Sequence, residues 1–397
     1  MNVLFDLVAT QPVHGAVFHG GGEYSKAVFI AAVKAGYAFD ALWDSRKALD
    51  PYIEELCTEK GIALVDLKGR TFAQAYAGYD VFFTGLPYGR FSEASGKSNT
   101  RLIFTIHGVR SLEMPTDRHE ILFYMGTKDP KRILKALYIR LFPKRYKRGA
   151  ASRIRKMLNL PDKQIVTVSN HTKYSLLNFF PELKEQELSV CYSPLYSPLA
   201  EEDVESRSTA VLNNLGLEEG QFYLGLGSGR WLKNNLRLSL AFDKLISDGR
   251  LKGKKLVFTG GSNIVYRRLK NKDSFLFLDY VETDVMEVLL KTTRALLYPS
   301  LNEGFGYPPL QAMKYGTPVL ASAFSAVTEV CGEAVLYANP YSEDEIGSRI
   351  LMLENDFLLK EYSEKGPRRY NLIKERQDTM LDNMLKMIFT GSKGELP

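Results

Sequence analysis

The sequence predicts a parallel α/β protein of two Rossmann-like domains. Three observations carry this. Short apolar runs alternate with helical patterns from the first residue onward, the order that builds parallel sheets flanked by helices. Several runs end in glycine-bearing turns, where open α/β sheets bind their ligands. After a charged, Ser-containing stretch at 200–208 the alternation starts again. A chain of 397 residues is long enough for two domains of ordinary size.

Composition narrows the class. Hydrophobic content of 45% and charged content of 25% suit a globular protein, and a net charge of +6 does not by itself call for nucleic acid. Cys57, Cys191 and Cys331 are widely spaced and form no Cys-x-x-Cys or Cys/His cluster. That points to a reducing compartment and no structural zinc. The first residues lack the basic start and long apolar run of a signal peptide, and no window approaches the roughly 18 apolar residues of a membrane span. A cytoplasmic protein is expected, with peripheral attachment to the inner face of a membrane left open.

In the first domain, strands are expected at 3–8, 39–43, 62–67, 81–84, 101–106, 164–169 and 188–192. The loop 14–22 ends in Gly20-Gly21-Gly22 and leads into a helix over 23–35. A glycine loop between strand one and helix one is the phosphate-cradle position of a Rossmann unit, although the full Gly-x-Gly-x-x-Gly spacing is missing. The run 101–106 ends at His107-Gly108, so His107 stands at the carboxyl end of a strand. His14, His19, His119 and His171 have no such setting and read as surface or loop residues.

Residues 128–156 carry twelve Lys or Arg against one Asp. Ile133, Leu134, Leu137, Tyr138, Leu141 and Phe142 recur at helical spacing, followed by a basic loop at 143–148. The segment 131–148 either lies on anionic lipid or packs its apolar side on its own domain. No nucleic-acid-binding fold is recognisable. The stretch 200–208 reads as a linker, which gives domains at 1–200 and 201–375 and a last helical segment, 376–397, able to return to the first.

In the second domain, strands are expected at 222–226, 255–258, 275–278, 295–298 and 318–321, with last sheet elements at 325–329 and 335–337. The first runs into Gly227-Ser228-Gly229-Arg230 and then Lys233. The third ends at Tyr280-Val281, and Thr283 reads as the cap of the next helix. The fourth leads into Asn302-Glu303-Gly304-Phe305-Gly306, then Pro308 and Pro309 at a helix start and a helix over 310–315.

The stretch from Tyr298 through Glu303-Gly304-Phe305-Gly306 to Ala312-Met313-Lys314-Tyr315-Gly316-Thr317-Pro318-Val319 resembles the signature of the retaining, nucleotide-sugar-dependent glycosyltransferases of family 4. Two departures stand out. Gln311 occupies the place of the family's second Glu, and Arg230 and Lys233 are closer together than the family's usual cation pair. The resemblance implies the GT-B architecture, two Rossmann-like domains facing across a cleft. It implies transfer of a sugar from a UDP-, GDP- or ADP-sugar to a glycan or lipid-linked acceptor, with retention and without a metal or other cofactor. Cell-surface polysaccharide or glycolipid synthesis is the implied setting. Under it, Glu303 holds donor-sugar hydroxyls, and Arg230 and Lys233 neutralise the diphosphate. His107 approaches the donor sugar, Gly21 and Gly22 with Glu23 underlie the diphosphate and acceptor, and Gly229, Gly304, Phe305 and Gly306 line the donor. Tyr280 and Val281 meet the base, and Gln311 meets the ribose. The alternatives are a nucleotide-sugar epimerase on the same fold and a catalytically idle nucleotide-binding subunit.

Overall fold

The computed structural model describes residues 1–12, 20–87, 99–127, 129–194, 201–261 and 264–391. Of the sequence expectations, His14 and His19 lie outside these residues. The chain forms two compact units, the first from Met1–Leu112, Arg148–Tyr196 and Glu375–Pro397, the second from Glu113–Lys147 and Ser197–Lys374. Residues 113–147 thus group with the second unit rather than with the segment that precedes them.

The first unit holds a seven-stranded sheet in the order β3-β2-β1-β4-β5-β6-β7. Its strands are β1 (Val3–Asp6), β2 (Asp40–Trp43), β3 (Leu64–Asp66), β4 (Val81–Thr84), β5 (Arg101–Ile106), β6 (Lys163–Thr167) and β7 (Leu188–Val190). All pairings are parallel. β1 and β4 are buried along their whole length, which is why they read as continuous apolar runs rather than alternating ones. Phe5 packs on Phe29 and Phe83, with ring centroids 5.6 and 5.0 Å away. Strand order reverses between β1 and β4, so the topological switch point lies beyond Asp6 and Thr84.

The second unit holds a six-stranded parallel sheet, β10-β9-β8-β11-β12-β13. These strands are β8 (Phe222–Gly225), β9 (Lys255–Phe258), β10 (Phe275–Phe277), β11 (Ala295–Tyr298), β12 (Val319–Ser322) and β13 (Leu336–Ala338). Here the order reverses between β8 and β11, which pair through Ala295 with Tyr223 and Leu296 with Leu224. The turns after these two strands therefore meet.

Five local expectations are corrected. The triple glycine is not a loop: it forms the first turn of the helix Gly20–Lys34. A Cβ on Gly21 would sit 2.9 Å from Leu86, so glycine there lets the helix approach the turn after β4. The linker reading of 200–208 fails, because Glu201–Leu215 is a helix, with Glu202 and Asp203 near its N-terminal dipole and its inward line running through Val204, Ser208 and Leu212. Residues 325–329 are not a sheet element; Ala326–Cys331 is a short helix. The basic loop at 143–148 is the start of the helix Pro143–Leu158. Thr283 is the first residue of its helix, and the N-cap is Glu282. The chain ends in one helix, Asp356–Thr390, with Pro367 inside it. Its last turns pack in the first unit: Tyr24 reaches Met384, Gln377 reaches the Ser193 carbonyl, and Phe389 stacks on Tyr37 at 4.5 Å.

Candidate functional site

The turns after β8 and β11 build one constellation in the second unit. After β8 the chain turns at Gly227, whose φ is +68°. It passes Ser228, Gly229 and Arg230, makes one 3-10 turn at Trp231–Lys233, and enters the helix Asn235–Ser247 through Asn234 in the left-handed conformation. Asn tolerates that conformation better than most residues. Its side chain is occupied too, donating to the carbonyls of Pro299 at 3.0 Å and Pro340 at 2.6 Å. Leu301 N–H donates to Leu232 O at 2.8 Å. These bonds fasten the turn after β11 to the turn after β8.

Two glycine turns press together beside it. A Cβ on Gly229 would lie 2.8 Å from Gly260 O, and Gly260, at φ +96°, approaches the Gly227 Cα. Ser228 N–H donates to Thr259 O at 2.9 Å, while Gly260 and Gly261 N–H donate to Asp279 O and Leu278 O. The carboxyl ends of β8, β9 and β10 are thus stitched by backbone bonds. Tyr280, 62% exposed, and half-buried Val281 follow directly from this seam.

Three side chains converge on one oxygen. Glu303 Oε1 accepts from Lys233 Nζ at 2.7 Å, Tyr298 Oη at 2.7 Å and Ser300 Oγ at 2.5 Å. Lys233 Nζ also donates to Tyr298 Oη at 2.6 Å and lies 4.7 Å over its ring. The Lys233 and Glu303 side chains are 15% and 19% exposed, so the pair is sheltered yet open at one side. Burial opposes the Glu303 charge, but Lys233, Ser300 and Tyr298 outweigh it and hold the carboxyl below the usual range. Burial and the same carboxylate push the Tyr298 phenol well above its ordinary value. Lys233, expected at the diphosphate, spends two of its three N–H groups inside the protein, and the third has no hydrogen bond among the described residues.

The other expected residues of this unit take varied positions. Arg230 is exposed next to the Lys233 turn. Gly304 is half-buried, and Gly306, at φ +113°, caps the helix Tyr307–Lys314, which carries Pro in its first turn as the sequence suggested. Phe305 is 3% exposed, so its ring belongs to the core and only its backbone is available to a ligand. Gln311 is half-buried on the helix that Gly306 opens. Ser325, at φ +56° and ψ −151°, accepts from Glu303 N–H at 2.9 Å. That backbone region is nearly exclusive to glycine, and such strain concentrates at functional sites.

In the first unit, His107 follows β5 as expected. Its Nε2 is 2.8 Å from Gly85 O, and its ring meets Tyr24 edge-on at 4.8 Å. Gly21 and Gly22 lie in the first turn of the helix that carries Tyr24.

Several residues escaped the sequence reading. His119 is not a surface residue: it is half-buried and lines a small cavity with Phe123, Arg230, Trp231, Asn234 and Tyr266. Its Nδ1 is buried without a partner among the described residues, and burial and Arg237 press the imidazole down to about 4. Beneath it, Arg237 is 1% exposed and grips Asp117 with two bonds of 3.0 and 2.9 Å. Tyr298 and Ser300 were read only as part of a strand and its turn. Glu113 accepts from Asn302 at 2.8 Å. None of these pairs has a sequence spacing that announces it. Among the described residues no group of three or more His, Cys, Asp or Glu is arranged to hold a metal ion.

Residues 214–369 match the model of the Glycosyl transferases group 1 family. The O-antigen chain mannosyltransferase RfbU of Salmonella typhimurium is 27% identical over 233 residues, covering 57% of this chain and 58% of that protein. The O-antigen chain mannosyltransferase B of Escherichia coli is 28% identical over 202 residues, covering 49% of this chain and 52% of its own. The Alpha-1,3/1,6-mannosyltransferase ALG2 of Kluyveromyces lactis is 35% identical over 133 residues, 30% of this chain and 26% of that one. The chain spans little more than half the length of the two O-antigen relatives. Among solved structures, Anabaena Alr3699/HepE in complex with UDP and glucose superimposes with a TM-score of 0.70 at 12% identity, covering 98% of this chain and 100% of the other. WaaG, a glycosyltransferase involved in lipopolysaccharide biosynthesis, gives 0.64 at 14%, with the same coverage. The two parallel sheets with their surrounding helices are those of the GT-B glycosyltransferases.

Proposed function

From a glycosyl transferases group 1 domain at residues 214–369, we propose that this chain moves a sugar from a nucleotide sugar to a glycan or lipid-linked acceptor, in cell-surface polysaccharide or glycolipid synthesis. The observation that carries the reading is the Lys233–Glu303 pair, a cation and a carboxylate 2.7 Å apart between glycine turns at the carboxyl ends of β8 and β11. The named relatives are mannosyltransferases, and one structural neighbour holds UDP and glucose. They favour transfer, and none speaks for an epimerase. The donor is a UDP-, GDP- or ADP-sugar, and no nucleic-acid partner is proposed.

The reaction we propose is retaining and needs no metal ion. The hard step is departure of a nucleoside diphosphate from an oxocarbenium-like sugar. Arg230 and the remaining N–H of Lys233 stabilise the charge that grows on the leaving oxygens. The acceptor hydroxyl enters on the face the diphosphate leaves, and the departing phosphate takes its proton. Glu303 holds donor hydroxyls, the amides of Gly229, Gly304 and Gly306 approach the donor closely, Gln311 meets the ribose, and Tyr280 and Val281 meet the base. His107, Gly21 and Gly22 of the first unit complete the assignment on the family resemblance.

A second partner in this proposal is an anionic membrane surface. The helix Pro130–Leu141 has an exposed apolar line, with Leu134 at 66%, Leu141 at 70% and the following Phe142 at 53% exposure, among Lys131, Arg132, Lys135 and Arg140. Such a face inserts at the headgroup boundary while its cations meet anionic lipid. No helix among the described residues is long and apolar enough to cross a membrane. Peripheral attachment on the inner, cytoplasmic face is the placement we propose. Sedimentation with anionic and neutral vesicles tests it; equal, salt-insensitive behaviour with both removes it.

The test of the main reading is calorimetry with UDP, GDP and ADP, followed by turnover of the matching nucleotide sugar. A bound nucleotide at a hundred times its Kd should stabilise the fold by about 2.7 kcal/mol. Failure of all three to bind overturns the reading. Binding without turnover by any donor favours the idle-subunit alternative.

A further inference from the structure

We propose that Tyr298 and Ser300 are positioning residues that join the carboxylate and cation of the donor site into one preset unit. The inference rests on the reading above and goes beyond it, to two residues with no assigned role. Tyr298 is 2% exposed and Ser300 is fully buried, so neither is a surface contact for a large ligand. Their hydroxyls converge on the same oxygen, Glu303 Oε1, at 2.7 and 2.5 Å. With Lys233 at 2.7 Å, that oxygen accepts three donors. Oε2 accepts no bond among the described residues, and it is not among their buried unpartnered atoms. One face of the carboxylate is thus saturated and fixed, and the other is the acceptor left for a sugar hydroxyl.

Tyr298 adds a second constraint. Its hydroxyl donates to Glu303 and accepts from Lys233 at 2.6 Å, so proton count and geometry agree on a single direction for each bond. The ammonium, the phenol and the carboxylate close a triangle, and the ring beneath the ammonium supports it. Lys233 is thereby held at one place with one N–H uncommitted among the described residues. The end of β11, which carries Tyr298 and leads into Ser300, sets where the turn after β8 presents its charge. A preset carboxylate and cation spare the reaction the cost of ordering them when the sugar–phosphate bond breaks.

Tyr298→Phe and Ser300→Ala each remove one hydroxyl and keep the bulk of the side chain. The first measurement needs no donor: a carbon-13 NMR titration of the Glu303 carboxyl. Loss of either hydroxyl removes a donor that favours the charged form, so the Glu303 pKa rises in each variant and more in the double variant. A pKa that stays at its wild-type position in both folded variants overturns the inference, whatever the protein's substrate. The second measurement is hydrolysis or transfer with GDP-mannose or UDP-glucose. The expected result is a fall in kcat of about 10- to 100-fold with KM within about threefold, one lost charge-assisted bond being worth that much. The acid limb of the pH–rate profile should move to higher pH in step with the NMR titration. A residue of merely structural importance would lower the folded fraction and leave that limb in place. If Tyr298→Phe fails to fold, Ser300→Ala alone decides through the same titration. Failure of wild type to bind any nucleoside diphosphate would instead count against the proposed function.

Discussion

Arg237→Met should loosen the segment that brings His119 to the cavity beside Arg230. Arg237 is 1% exposed and Asp117 5%, and their two bonds of 3.0 and 2.9 Å form a forked pair. Arg237 also donates to Asn234 Oδ1 at 2.8 Å and lies 5.3 Å over the Tyr341 ring. Taking away the guanidinium leaves the Asp117 carboxylate buried with one strong donor, the His119 N–H at 2.9 Å. Breaking a buried pair by removing one partner typically costs 3–5 kcal/mol, and the remaining amide places this case near the lower end, about 3 kcal/mol. Replacing both partners removes the stranded charge, so Arg237→Met with Asp117→Leu should recover most of the loss, to within about 1 kcal/mol of wild type. The assay is urea unfolding, since an uncharged denaturant leaves ion pairs unscreened, combined with hydrogen exchange of the peptides covering 113–127 and 235–247. Exchange should accelerate first in 113–127 in the single variant and return in the double. A single variant costing under about 1 kcal/mol, or a double variant as unstable as the sum of its parts, refutes the reasoning.

Three further outcomes follow from other sites. The Asp6 carboxyl at the switch point of the first sheet is pushed up to about 7, chiefly by burial; Thr84 donates to one oxygen at 2.6 Å and the other has no partner among the described residues. Its folded pKa exceeds the unfolded 3.8, so stability falls as pH rises from about 4 to about 7, by up to about 4 kcal/mol at about 1.4 kcal/mol per pH unit. Urea midpoints at pH 5 and 8 should converge in Asp6→Asn, and an unchanged gap refutes this. Ser325→Gly releases a backbone strain of about 1–3 kcal/mol and gives up two hydrogen bonds of about 0.5–1.5 kcal/mol each, from Glu303 N–H and to Phe324 O, so the two effects offset and Tm should stay level, and a clear drop contradicts it. Gly229→Ala places a Cβ 2.8 Å from Gly260 O, so it should cost about 1–3 kcal/mol in a thermal melt and weaken nucleoside diphosphate binding; wild-type values for both would show that the two turns yield freely.

Strands were legible because buried parallel strands are continuous apolar runs, and β4, β5, β9 and β11 fall where the runs fall. Glu303 was legible because turn residues surround it. The helix Glu201–Leu215 was missed because its surface is polar. Its inward line includes only one strongly apolar residue every two turns, Val204 and then Leu212, with Ser208 between. Residues 325–329 read as sheet because Val327 is a β-former in a short apolar stretch, and only the turn at Ser325 decides for the helix Ala326–Cys331. The Arg237–Asp117 pair spans 120 residues and leaves no periodic trace. Tyr298 reads like any other core aromatic, since one of its hydroxyl partners, Lys233, comes from the turn after a different strand.

The first unit is assembled from three separated stretches, the last of them the end of the long final helix. During synthesis, the residues that cover Tyr24, Tyr37 and Tyr192 leave the ribosome only after the whole second unit. The β strands of this unit are made early, yet their apolar edge waits for Met380, Met384 and Phe389 through the making of the entire second unit. The nascent chain therefore carries an unfinished aromatic face until these residues are made, and a truncated product ending anywhere before residue 380 would keep that face open to aggregation and to chaperones.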